Sequence, residues 1–212
     1  MGHLILVRHS TTAASAGGRN LGQGSDPPLA AAGVALATRL GAALSVELAE
    51  LPITELRLVS SPARRCRETM AAIARAIGQS DEPELDARLM EINYGAWEGL
   101  TPKECADRDP ELRAEWEADP FTVQIPDGES GADVAARAFP AFDAIEAWLA
   151  ADRARTAVVV AHNHVNRLRL TATLGWPMAA YRRRVSQDPA GYSIIRLHGG
   201  EPFVRRLNVQ PA

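Results

Sequence analysis

Cysteine is scarce: among 212 residues only Cys66 and Cys105 carry thiols, far apart and without metal-type spacing. That leaves no basis for a disulfide framework or a cysteine-bound zinc, and it makes a reducing cytoplasm the expected compartment. A strong excess of charge is also missing. The net charge is -3, so neither nucleic acid nor an anionic membrane is expected as a partner on general electrostatic grounds. The amino terminus lacks a basic region, and its first apolar run is far too short for a signal peptide or a membrane span. Internal repeats and low-complexity tracts are absent apart from a richness in alanine. With 46% hydrophobic residues the chain can bury a sizeable core, and its length fits one domain spanning 1–212 better than two.

What is present is a strand-and-helix alternation. The run Leu4-Ile5-Leu6-Val7 reads as a buried parallel strand that ends in Arg8-His9. A second run, residues 56 to 60, leads into Ser61-Pro62, where proline suits a first helical turn and the serine is expected to cap it. A third, Thr156 through Ala161, ends in His162. Helices are expected over residues 29 to 50, from Ser61-Pro62 to about 77 with a stop at Gly78, over about 130 to 151 with a bend near Pro140, and in the stretch up to about Arg184. Residues 10 to 27 read as a long loop, 85 to 89 as a short strand, and 192 to 209 as a hairpin turning at Gly199-Gly200. Residues 93 to 127, broken by glycines and prolines around Trp97 and Trp116, read as an insertion capping the sheet edge. The pattern implies a three-layer α/β/α sandwich, its mostly parallel sheet carrying an antiparallel edge.

Open α/β sheets bind ligands at the carboxyl ends of their strands. There this chain would gather two imidazoles, His9 and His162, with the guanidiniums of Arg8 and of Arg64 or Arg65. Neighbouring helical positions point about 100° apart, so only one of Arg64 and Arg65 can easily face such a site. Guanidiniums match phosphate oxygens in pairs and neutralise charge during phosphoryl transfer. A neutral imidazole held at one ring nitrogen can attack phosphorus with the other. Taken alone, His9 also fits a plain polar strand terminator; the Arg8 neighbour and the second strand-end histidine favour chemistry. His162-Asn163-His164 is a weaker candidate metal pair, lacking a nearby carboxylate or cysteine cluster. Glu91 lies among apolar and aromatic neighbours, where partial burial would raise its pKa toward that of a useful general acid. His3 and His198 read as structural or surface residues.

These residues carry a resemblance to a known family. Leu6-Val7-Arg8-His9-Ser10-Thr11-Thr12 resembles the Arg-His-Gly-(Glu or Gln)-Thr signature of the histidine phosphatase superfamily, the phosphoglycerate mutase-like fold. Ser60-Ser61-Pro62-Ala63-Arg64-Arg65-Cys66-Arg67-Glu68-Thr69 resembles its Ser-Ser-Pro-Leu-x-Arg-Ala-x-Gln-Thr segment and selects Arg65 as the phosphate ligand. Glu91 to Gly99 resembles Glu-x-x-x-Gly-x-Trp-Glu-Gly, which makes Glu91 the acid. Asp127-Gly128-Glu129-Ser130 resembles the turn before the long helix, and Val160 to Arg167 the segment carrying the second catalytic histidine, His162. The departures are Ser10 for glycine, Thr11 for an acid or amide, and Ser15 where an asparagine often helps hold phosphate. Asn20 is a candidate to supply that amide, and Asn163 replaces a glycine whose backbone N–H would face phosphate.

The resemblance implies a phosphatase acting on a small phosphorylated metabolite or other phosphomonoester through a phosphohistidine on His9. Arg8, Arg65, His162 and Asn163 would bind the phosphoryl group, and no metal or cofactor is implied. A homodimer, with Trp97, Trp116 and Trp148 contributing an apolar contact surface, is compatible with the sequence. The alternatives are a cofactor-dependent phosphoglycerate mutase and a non-catalytic phospho-ligand binding protein. Mutases of this family carry Glu-Arg-His-Tyr-Gly where this chain has Glu91-Ile92-Asn93-Tyr94-Gly95. With 3-phosphoglycerate, phosphate release should therefore outpace isomerisation primed by 2,3-bisphosphoglycerate; the reverse order, measured by coupled assay, would identify a mutase.

Overall fold

The structure, a computed structural model of the chain, describes residues 2–198 and 201–212. Leu4-Ile5-Leu6-Val7 lies within β1 (Gly2–Arg8), and all four side chains are fully buried. Alternate residues of a strand face opposite ways, so Leu4 and Leu6 enter one core while Ile5 and Val7 enter the other. A continuous apolar run is what a strand covered on both faces needs.

The sheet has six strands in the order β3-β2-β4-β1-β5-β6, with β2 (Glu55–Ser60), β3 (Glu84–Leu85), β4 (Arg155–Ala161), β5 (Tyr192–His198) and β6 (Glu201–Val209). β1, β2, β3 and β4 pair in parallel; β5 and β6 add the antiparallel edge. The Gly199-Gly200 turn expected in the last hairpin lies outside the described residues. Against one face pack α2 (Ala31–Ala49) and α3 (Arg64–Ala76), through Leu40, Leu44, Met70 and Ile73. Against the other pack α6 (Gly131–Ala150) and α7 (Asn163–Thr173), through Val134, Phe142, Val165 and Leu168. This is the expected three-layer α/β architecture. α2 has 19 residues and a mean hydropathy of 1.3, long and apolar enough to cross a membrane, but here its leucine stripe is spent on the core beside α3.

Local chemistry shifts several expected boundaries. Within residues 10 to 27 a single turn, α1 (Ala13–Ala16), forms because Thr12 and Ser15 cap each other reciprocally. α3 starts at Arg64, behind an Ala63 N-cap without a side-chain bond of its own; the Ser61 hydroxyl accepts the Ala63 N–H at 3.4 Å and the His162 Nε2–H at 2.8 Å. Of the strand expected at 85 to 89 only Leu85 is extended, as the end of β3, since Asp86 caps a 3₁₀ turn over Ala87–Leu89. Pro140 sits inside α6 without ending it. Residues 93 to 127 hold a 3₁₀ turn at Gly95–Trp97, α4 (Pro102–Arg108) and α5 (Pro110–Ala118). The tryptophans expected at a contact surface are largely withdrawn from it: Trp97 and Trp116 are 0% and 1% exposed, packed edge to face in the core. Beyond α7 the chain continues through a 3₁₀ turn at Met178–Ala180 into α8 (Tyr181–Arg184).

One packing contact ties this scaffold to the loop after His9. A Cβ at Gly33, in the first turn of α2, would stand 2.0 Å from the Thr11 carbonyl oxygen, far inside van der Waals contact. Ser10 Oγ also donates to the Gly33 carbonyl at 2.7 Å. Gly33→Ala should therefore force α2 and this loop apart, costing about 1–3 kcal/mol as overpacking does. A thermal unfolding midpoint equal to that of the unaltered protein would contradict it.

Candidate active site

Parallel pairing of β1 with β4 sets Arg8 opposite Ala161, so the next residues, His9 and His162, leave the sheet side by side. The His9 N–H continues the ladder to the Ala161 carbonyl at 3.0 Å, and the two rings lie 5.2 Å apart, edge to face. Both are buried. Nδ1 of His9 lies 2.7 Å from the Ser10 carbonyl. A carbonyl can only accept, so Nδ1 carries the hydrogen and Nε2 presents a lone pair. Ser10 is itself held, its N–H donating to Thr69 Oγ1 at 3.0 Å and its hydroxyl to α2.

Arg65, fully buried on α3, donates from Nη2 to the Gly22 carbonyl at 2.9 Å and lies 3.3 Å from Nδ1 of His162. Because a guanidinium only donates, Nδ1 of His162 accepts; its Nε2–H then donates to Ser61 Oγ at 2.8 Å. Arg64, one position earlier, points outward and pairs with Glu68. Arg8 donates to the Gln187 carbonyl at 2.5 Å. The Nε groups of Arg8 and Arg65 are buried without a hydrogen-bond partner among the described residues, which leaves strong donors available to an anion.

Glu91 is 4% exposed, and its carboxylate accepts N–H bonds from Ile92, Asn163 and His164 at 2.9, 3.0 and 3.2 Å. Burial raises its pKa, and those N–H donors with Arg65 and Arg8 offset only part of the rise. Burial likewise pushes the pKa of His9 and His162 well below the ordinary value, helped by Arg8 and Arg65 for His9 and chiefly by Arg65 for His162. Both rings are thereby kept neutral. The Cys66 thiol, 3.4 Å from Nε2 of His162, is pushed far up by burial and stays protonated.

A cavity of about 200 Å³ has Arg8, His9, Glu91 and Asn163 among its walls, while Arg65 and His162, both fully buried, lie behind that lining. Two larger grooves of about 390 Å³ flank α3 and contain no histidine. Ser15 and Asn20 also line the 200 Å³ cavity, but their polar groups are engaged. The Ser15 hydroxyl serves the α1 cap, and the Asn20 amide donates to the Trp97 carbonyl at 3.2 Å. The Asn163 N–H is directed to Glu91, while its side-chain Oδ1 is buried without a partner.

His164 forms no metal pair with His162. It is buried between two tyrosine hydroxyls, Tyr94 at 2.9 Å and Tyr181 at 2.6 Å. Among the described residues no group of three or more histidine, cysteine or acidic side chains is placed to hold a metal ion.

Residues that sequence reasoning passed over complete the walls: Tyr94, Arg19 and Arg182. Behind Glu91 the guanidinium of Arg137 binds the Met90 and Glu91 carbonyls together with Glu129. The run Arg182-Arg183-Arg184 was the one available signal for Arg182.

A family model of the histidine phosphatase superfamily (branch 1) matches residues 4–210. Among curated proteins, phosphoserine phosphatase 1 of Hydrogenobacter thermophilus is 30% identical over 210 residues, covering 97% of this chain and 92% of that protein. A bifunctional protein of Mycobacterium tuberculosis is 36% identical over 210 residues, 97% of this chain; the match spans about half of that longer protein, 53%. Among solved structures, a mycobacterial glucosyl-3-phosphoglycerate phosphatase complexed with VO3 superposes with a TM-score of 0.81 at 27% identity, covering 98% of this chain and 99% of that one.

The protonation states are directly measurable. Long-range ¹⁵N–¹H spectra of the ligand-free protein at pH 6 should show neutral rings at His9 and His162, with His9 as the Nδ1–H tautomer. Since the unfolded chain protonates near 6.5, these two rings add stability that is present above that pH. It is lost as pH falls below it, by roughly 1.4 kcal/mol per pH unit for each group. A charged His9 ring at pH 6 would overturn the assignment.

Proposed function

The chain belongs to the histidine phosphatase superfamily (branch 1), and from that premise we propose that it hydrolyses phosphomonoesters through a phosphohistidine on His9. The observation carrying this reading is the Nδ1–H bond from His9 to the Ser10 carbonyl, which aims the Nε2 lone pair away from the backbone. Nε2 attacks phosphorus in line, and the bond from phosphorus to the ester oxygen breaks as the new P–N bond forms. Arg8 and Arg65 hold the equatorial oxygens and neutralise their charge. As the dianion draws Arg65 toward itself, Nδ1 of His162 takes up a proton from solvent water, and the Nδ1–H then donates a hydrogen bond to a transferring oxygen while keeping its proton.

Glu91 closes the cycle. Its raised pKa keeps a proton for the departing oxygen, and the resulting carboxylate then takes a proton from the water that cleaves the phosphohistidine. Asn163 lines the same cavity and binds near the phosphoryl group. Residues 93 to 127 act as the cap, with Tyr94 forming part of the cavity wall. Small phosphorylated metabolites are the favoured substrates, supported by the cavity's size and by the names of the relatives, which include a phosphoserine phosphatase and a glucosyl-3-phosphoglycerate phosphatase.

Rapid quench with a ³²P-labelled phosphomonoester tests the intermediate. An acid-labile, alkali-stable label on His9 is expected, absent in His9→Ala; turnover in His9→Ala at the unaltered rate would refute it. Glu91→Ala should cost on the order of 10²–10⁴ in kcat/KM for alkyl phosphates, whose leaving oxygen needs a proton, and far less for p-nitrophenyl phosphate. Because protonated Glu91 is the active form, alkyl phosphate hydrolysis should decline as pH rises through its elevated pKa. Activity should persist well below pH 6.5, where an ordinary histidine would already be charged.

A further inference from the structure

We propose that Arg182 forms a second anion subsite in the active-site cavity, selecting phosphomonoesters that carry another anionic group, such as a carboxylate, a few atoms from the phosphate. The proposal rests on the phosphatase reading above. Arg182, on α8, lines the cavity that holds Arg8, His9 and Glu91. Its guanidinium lies 4.3 Å from the centroid of the Trp116 ring and donates from Nη1 to Glu117 at 2.8 Å. Trp116 is buried and Glu117 sits on α5, so the cationic head is held at the wall. Its Nε is buried without a hydrogen-bond partner among the described residues.

Charge balance is the second line of argument. Glu117 also pairs with Arg113, so one carboxylate stands between two guanidiniums. Arg167, whose Nε is likewise buried and unpartnered, has its pKa pushed down to about 10 by burial first and then by Arg182 and Arg8. Cations on this side of the cavity therefore repel one another in a poorly solvated place, and an arriving anion relieves that repulsion. The phosphoryl dianion does not require Arg182, because Arg8 and Arg65 already supply two positive charges beside His9. Arg19, also on the cavity wall, is a poorer candidate. It is half exposed and already engaged by the Gly99 carbonyl at 2.7 Å and by Glu104 at 3.1 Å.

Two substrate pairs isolate the extra anion. 3-Phosphoglycerate differs from glycerol 3-phosphate by a carboxylate in place of a hydroxymethyl group, and O-phosphoserine differs from phosphoethanolamine by a carboxylate. The unaltered protein should favour the carboxylate member at least tenfold in kcat/KM in at least one pair, mostly through KM. Arg182→Gln should cut that ratio at least fivefold, and Arg182→Lys should retain more of it. Glu117→Gln, at an exposed carboxylate, releases the guanidinium and should raise the ratio; it carries the test if Arg182→Gln does not fold. No preference in either pair, or a loss in Arg182→Gln shared equally by both members, overturns the subsite. If no phosphate is released from any of these compounds or from p-nitrophenyl phosphate, the phosphatase reading has failed instead. Calorimetric binding of the same pairs to the unaltered protein and to Arg182→Gln then decides the subsite independently of turnover.

Discussion

The proposed chemistry depends on one hydrogen bond, from the Nδ1–H of His9 to the carbonyl of the next residue. It selects the tautomer, and burial beside two guanidiniums keeps the ring neutral, so the other nitrogen keeps its lone pair. The bond is only as well placed as Ser10, and Ser10 is gripped from two sides, by Thr69 on α3 and by Gly33 on α2. Both helices belong to one layer of the sandwich. His9 is thus oriented from the face of the sheet that α6 and α7 do not touch.

The second layer has a different task. α7 begins at Asn163, and its first two N–H groups bind the Glu91 carboxylate. Arg137, on α6, fixes the backbone of Glu91 from behind. One helical layer orients His9 and the other orients Glu91, with the sheet between them.

How far this could be read from the residues follows from the range of the interactions involved. Strand ends were legible because an apolar run followed at once by Arg8-His9, or by His162, states both burial and direction. Arg65 was separable from Arg64 by helical geometry together with the family resemblance. The place of Ser61 before Pro62 indicates its bond to the Ala63 N–H at the start of α3, but not the shorter contact of the same hydroxyl with His162, 101 residues away in the chain. Tyr94, His164 and Tyr181 meet across 70 and 17 residues, and no local period announces such a meeting. The same holds for Arg182 and Glu117, 65 residues apart. Ser10, which looked like a departure, has a physical place: its hydroxyl reaches the α2 backbone where a glycine would offer nothing.

The 5.2 Å between the two imidazoles follows from the ladder beneath them. Neighbouring strands in any sheet lie about 4.8 Å apart, and His9 and His162 each take the first position beyond a paired residue. The backbone acts here as a ruler. At that separation the two rings touch edge to face, so the strand spacing fixes how closely the imidazoles stand whatever surrounds them. Substitutions around the rim can retune which ester is accepted while that inner dimension stays constant.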